Sequence, residues 1–144
     1  GDRTDEYLEA MKQAWASDTA SYRGKFVNFS NVYSRPQPAS GHVPIIVGGH
    51  SRRAARRAGE LGDGFFPGRG NFDELAALFD HARHCAEESG RDPEALEFTA
   101  GGRTSPDYVE RLAEIGVTRM IVPPMDPSQF SKFGEEVISQ FSSF

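Results

Sequence analysis

Apolar residues recur at helical spacing through DRTDEYLEAMKQAW, where Tyr7, Leu8, Met11, Ala14 and Trp15 share a face and Asp2 and Thr4 stand ready as caps. This predicts a helix over 1–20. The next segment, 21–42, loses that period. SYRGKFVNFSNVYS is aromatic and extended with a turn at Gly24, and RPQPASGHVP reads as an irregular linker. From residue 43 to 144 the pattern becomes regular, with short apolar runs alternating with helical stripes. VPIIV predicts a strand apolar on both faces, and residues 52–61 a helix buried through Ala54, Ala55, Ala58 and Leu61. DGFFPG is the second strand. Asn71 or Asp73 caps a helix carrying Leu75, Leu78, Phe79, Ala82 and Cys85, closed by Gly90. EALEFTAGG is the third strand; Ser105 and Pro106 open a helix with Val109, Leu112 and Ile115 that Gly116 ends. VTRMIVPP is the fourth strand, and DPSQF has the capping-box arrangement.

Four β-then-α units at short spacing predict an α/β fold with parallel strands and right-handed crossovers. Two architectures are compatible. A four-stranded doubly wound sheet is complete at 144 residues, whereas a (β/α)8 barrel takes about 250, so four units are half of one. In both, ligands gather at the carboxyl ends of the strands.

That edge is where the chain's most pointed motif falls. Gly48 and Gly49 end the first strand, His50 follows, and Ser51 caps a helix whose first turn carries Arg52 and Arg53. Backbone without Cβ atoms lets an anion approach, and a helix amino terminus offers unpaired N–H groups and partial positive charge. Cations in a first turn are disfavoured by several tenths of a kcal/mol, a sign that a bound anion reverses. A candidate phosphate seat thus comprises Gly48, Gly49, His50, Ser51 and Arg52, while a tight turn with nothing bound is the plain alternative. The motif is neither G-x-G-x-x-G nor a P-loop. Arg56 and Arg57 read as a solvated face. Arg69 and Arg103 fall in loops at the same edge and are candidates for an anionic substrate or cofactor tail. His81 and His84 are three apart on a helix but have no acidic or cysteine partner placed to finish a site, so no metal is expected and both are assigned to a solvated face; His42 sits in the linker. No catalytic pair or triad can be assembled, and the catalytic residues stay unknown.

Composition narrows the partners. A net charge of -5 gives no reason to expect nucleic acid. Only Lys12, Lys25 and Lys132 among the cations are lysine, a bias without chemical weight. The lone Cys85 excludes an intrachain disulfide and reads as a small core residue. No run approaches the about 20 apolar residues of a membrane span, and no signal-peptide pattern opens the chain, so a soluble cytoplasmic protein is expected.

Taken together, SYRGKFVNF, RPQPASGHVPIIVGGHSRRAARRAGELGDGFFP and the helix ending in Trp15 resemble the carboxyl-terminal half of bacterial luciferase-like monooxygenases. The resemblance runs over nearly the whole chain and is most specific at 36–67. It implies a single partial barrel domain over 1–144, the second half of a (β/α)8 barrel preceded by a helix and an aromatic excursion. It places the cofactor phosphate near Gly48, Gly49 and Ser51, with Asp63 and Gly64 shaping the next strand. It also implies hydride transfer between the deazaflavin F420, with FMN the alternative, and a small organic substrate. The family's first four strands are not among these 144 residues, and with them are missing most residues near the reacting carbon. The chain is therefore expected to be one piece of a longer polypeptide, or to self-associate through its open sheet. A non-catalytic half-barrel that binds a phosphate ligand, or one that exists to pair with another half, is the competing reading.

Overall fold

The computed structural model describes residues 1–141, and the chain divides into two compact units, Gly1–Ile45 and a second that begins at Ile46.

In the first unit, helix α1 (Asp2–Ala16) precedes strands β1 (Ala20–Arg23) and β2 (Asn28–Val32). The helix ends at Ala16 rather than near residue 20, because Ser17 turns extended. Its cap is Gly1, without a side-chain bond; Asp2 and Thr4 lie inside the first turn, where Asp2 still favours the helix dipole. The aromatic excursion is an antiparallel hairpin, with Tyr22 stacked on Phe29 at 6.1 Å between ring centroids. Its tip is held by one carboxylate. Glu6 Oε1 accepts from the backbone amides of Phe26 (2.6 Å) and Val27 (2.7 Å), and Oε2 from that of Lys25 (3.0 Å). A Cβ on Gly24 would stand 2.2 Å from Glu6 Oε1, so the glycine of the motif is what admits the carboxylate. Burial pulls the Glu6 carboxyl up, but the three amides and the Lys25 charge outweigh it, and the group titrates below its ordinary range.

The second unit is a parallel sheet of β3 (Ile46–Gly48), β4 (Gly64–Phe66), β5 (Glu97–Gly101) and β6 (Arg119–Ile121), in that spatial order. Between and after them run α2 (Arg52–Leu61), α3 (Phe72–Glu88), α4 (Pro106–Glu114) and α5 (Pro127–Phe133), the last followed by a π-helical turn over Gly134–Ile138. The strand order decides between the two architectures. A doubly wound sheet needs a reversal of direction along the sheet, and here each strand lies beside its predecessor without one. Right-handed crossovers that always step the same way put their helices on one face, as in a barrel.

Strand β3 starts at Ile46, later than the apolar run suggests, since Pro44 brings no donor to a ladder. Asn71 and Asp126 form complete capping boxes with Glu74 and Gln129. Ser105 is the cap residue of α4 but makes no side-chain bond there. Gly90 (φ 71°) and Gly116 (φ 91°) turn the chain out of α3 and α4 in the left-handed region.

The core lies between sheet and helices. Phe65, Phe79 and Phe98 are fully buried, with Phe79 4.4 Å from Phe98 and edge-on to Phe65 at 6.3 Å. Glu97 and Thr99 alternate with Phe98 and Ala100 and so take the opposite face, where Glu97 pairs with Arg119 at 2.6 Å. That face is thus less apolar than the sequence runs imply. Helices α2 and α3 meet through small residues, Ala55, Ala58 and Gly59 against Ala82, Cys85 and Ala86, all buried. Gly59 fills the buried place expected of Leu61, which is half-buried. Beyond α3, Arg91 turns back to close the end of α2. Its guanidinium donates to the carbonyls of Gly59 and Gly62, the latter at 2.6 Å, and stands 3.9 Å from Asp63.

An added Cβ at Gly59 would lie 2.3 Å from Ala82 O. In an open helix, Gly→Ala gains about 1 kcal/mol; against a fixed backbone atom the clash wins. Gly59→Ala is therefore expected to destabilise, and Gly59→Val by about 3 kcal/mol, read as a lowered urea midpoint. In the hairpin, the carboxylate of Glu6 titrates low, so its stabilisation is fully present above the ordinary glutamate range and is lost as pH falls through the depressed value. Glu6→Gln should abolish that acid-dependent step in hydrogen exchange at Phe26 and Val27.

Candidate functional site

At the carboxyl end of β3 the two glycines have different reasons to be glycine. Gly49 has φ 125°, a conformation open to few other residues, and its N–H donates to Phe66 O at 3.1 Å, extending the β3–β4 ladder past the strand end. Its amide is therefore committed to the sheet rather than available to a ligand. Gly48 has no such constraint. It is exposed, and a Cβ there would meet nothing within 4 Å. Among the described residues nothing stands where a side chain at 48 would begin.

Ser51 caps α2 by accepting from the Ala54 amide at 3.2 Å, and its own hydroxyl proton remains available for donation. The first-turn amides of α2 have no helical carbonyl behind them. Beside this turn opens a groove of about 610 Å3 lined by His50, Arg52, Arg69, Glu74, Ala77 and Leu78. Arg69 comes from the loop after β4, where Gly68 (φ 78°) and Gly70 (φ 138°) bend the chain. Thus His50, Arg52 and Arg69 meet in one groove, and Gly48, Gly49 and Ser51 form the turn at its side.

The two guanidiniums each face an imidazole. Arg69 Nη2 lies against His50 Nε2, and Arg52 Nη2 is 3.2 Å from His81 Nδ1. A guanidinium only donates, so the imidazole nitrogen facing it must be the unprotonated one. Burial, followed by the Arg52 charge and then His84, holds His81 below the ordinary histidine value, against the opposing Glu88 and a hydrogen bond to the Arg52 main chain. Glu74, the carboxylate of the groove, accepts from the Asn71 amide at 2.9 Å in the capping box. The set suits an anion, with two fixed cations, neutral donors and a helix amino terminus together.

His81 corrects the solvated-face assignment. It shares a stripe with Leu78 and Cys85 that faces α2 and is half-buried, whereas His84, rotated off that stripe, is exposed beside Glu88 at 3.4 Å. No sequence motif links positions 52 and 81; the clue available was the i, i+3, i+4, i+7 spacing of Glu74, Ala77, Leu78 and His81. Arg56 turns along its helix to Glu60 at 2.8 Å. Arg103 is exposed in the loop after β5, and His42 lies in the first unit. Cys85 is buried; desolvation first, then Glu60 and Glu88, push its thiol up, the opposite of an activated nucleophile. Gly64 admits the neighbouring strand, for a Cβ there would lie 2.4 Å from Glu97 O. No helix among the described residues is long and apolar enough to cross a membrane.

The family model described as luciferase-like monooxygenase matches residues 1–137. An uncharacterised protein of Mycobacterium tuberculosis is 31% identical over 155 aligned positions, which cover 97% of this chain and 53% of that protein. The FMNH2-dependent dimethylsulfone monooxygenase of Pseudomonas putida is 28% identical, over 94% of this chain and 36% of its own length. Among solved structures, the coenzyme F420-dependent tetrahydromethanopterin reductase of Methanopyrus kandleri superposes with a TM-score of 0.79 at 15% identity, over 96% of this chain and 62% of that one. The chain thus spans about half, or less, of the two sequence relatives.

Arg52 borders the groove, while Arg57 is more than a turn further along α2. At low ionic strength Arg52→Ala is expected to weaken inorganic phosphate binding about tenfold and Arg57→Ala less than about twofold, measured by calorimetric titration.

Proposed function

The chain belongs to the luciferase-like monooxygenase family, and from that premise we propose that its groove seats the phosphate of a flavin-type cofactor in an oxidoreductase. The cofactor proposed is F420, with FMN as the alternative, and the substrate is a small organic molecule. The observation that carries this reading is the groove beside the glycine turn, where Arg52 and Arg69 stand together next to the Ser51 cap at the amino terminus of α2. Similarity to a reductase named as F420-dependent and to a monooxygenase named as FMNH2-dependent supports a redox cofactor of this class. The Gly-Gly-x-Ser turn, resembling deazaflavin-using members, favours F420.

The donor set fits either cofactor's phosphate. Arg52 and Arg69 supply charge from two sides of the groove, Ser51 a hydroxyl proton, and the first turn of α2 its dipole. When bound, the cofactor supplies the hydride chemistry; these residues bind and orient its anionic end.

Arg69→Ala tests the reading without disturbing the fold, because the Arg69 side chain is exposed and borders the groove. The expected outcome is a loss of F420 and FMN affinity of about tenfold or more, with the thermal midpoint unchanged. Wild-type affinity in a variant of unchanged midpoint would remove the phosphate-seat reading. Comparing the two cofactors in the same titration tests the preference for F420.

A further inference from the structure

We infer that His81 positions Arg52 for anion binding and couples that binding to the uptake of a proton. The inference rests on the phosphate-seat reading and deepens it. His81 does not line the groove; it reaches it only through Arg52, whose Nη2 lies 3.2 Å from His81 Nδ1. A long side chain at the start of a helix has several exposed rotamers, and one neutral acceptor on a neighbouring helix selects among them. That acceptor is set by α3, which packs on α2 through buried small residues.

The charged and titratable groups around His81 come from both helices. From α2 these are Arg52, Arg56 and Glu60, the last two acting on the adjacent Cys85; from α3 they are His84, Cys85 and Glu88. Among these, the direct partner is the Arg52 guanidinium, and the Cys85 sulfur stands 3.9 Å from both ring nitrogens. Proton uptake at Nδ1 from solvent turns the acceptor into a donor, so the orienting bond to Arg52 is given up and two cations are left side by side; the second positive charge then draws an anion more strongly than the lost bond weakens its hold. An anion in the groove relieves that repulsion. Anion binding therefore raises the proton affinity of His81, and by linkage acid strengthens anion binding. Burial first and the Arg52 charge second hold free His81 low, and the second of these is what an anion in the groove neutralises.

Sulfate is the probe, because it stays fully ionised near neutral pH and its own titration does not enter. The 144-residue chain is titrated with sulfate at low salt. The wild type is expected to bind several-fold more tightly at about pH 5.5 than at about pH 8, approaching about tenfold, one unit of coupled proton affinity, at pH well below the titration of free His81. His81→Asn puts a non-titrating amide oxygen near Nδ1, so binding near pH 8 should be preserved and most of the acid gain lost. His81→Leu removes the acceptor and should bind several-fold more weakly near pH 8. His50→Asn removes the other imidazole, which lines the groove itself, and adding His81→Asn to that variant should still lower the remaining acid gain. A His81→Asn chain with the wild-type pH profile overturns the inference alone, as does His81→Leu binding like wild type near pH 8. If wild type and Arg52→Ala both fail to bind sulfate, the phosphate seat falls and this inference with it. The asparagine variant keeps the test open even if the leucine variant does not fold.

Discussion

Helices α2 and α3 come close enough that a single methyl group at position 59 would collide with the main chain of Ala82. Much of the second unit follows from this contact. Gly59, with Ala55 and Ala58, lets the two helices meet backbone to backbone, and such a seam has little freedom to slide. Two helical turns before Gly59, the same register brings the start of α2 beside α3, where Arg52 finds His81. At the other end it leaves the last carbonyls of α2 facing the chain that leaves α3, and Arg91 closes them. The groove bordered by Arg52 and Arg69 is therefore a consequence of helix packing as much as of the glycine turn.

The sheet adds the second constraint. Strands in simple succession send every right-handed crossover the same way, which stacks helices on one face and aligns all the strand-to-helix loops at one edge. Loops after β3 and β4 thereby become neighbours, although residues 50 and 69 are far apart in sequence. His50 and Arg69 meet for that reason. The Gly49 amide, held by Phe66 O, ties the same two strands together just below the groove. Rigidity below and openness above suit a site that must hold an anion in a set place.

The arrangement is also electrostatically uneven. A chain with net charge -5 concentrates Arg52, Arg69, His50 and His81 at one corner, and Glu74, a carboxylate of the groove's lining, is committed to a helix cap. Each arginine is paired with a neutral imidazole instead of a carboxylate. Such pairs keep the guanidinium oriented without cancelling its charge, leaving it able to attract an anion.

Local chemistry wrote much of this fold plainly into the sequence. The bounds of α2, the caps at Ser51, Asn71 and Asp126, the closing glycines at 90 and 116, and the succession of four βα units all follow from rules spanning a few residues. The glycine turn and its place at the carboxyl edge were legible for the same reason, and the family resemblance rested on those motifs. The family resemblance pointed to the half-barrel, as the strand order bears out, but in short-range periodicity alone the choice between half-barrel and doubly wound sheet was not legible, since the two share it. Nor was the division of labour between Gly48 and Gly49, which depends on what stands around each Cβ position. The pairings of Arg52 with His81 and Arg91 with the end of α2 join residues roughly thirty positions apart. No local pattern encodes such contacts; they exist because two helices pack at a glycine, and that packing is a property of the folded chain.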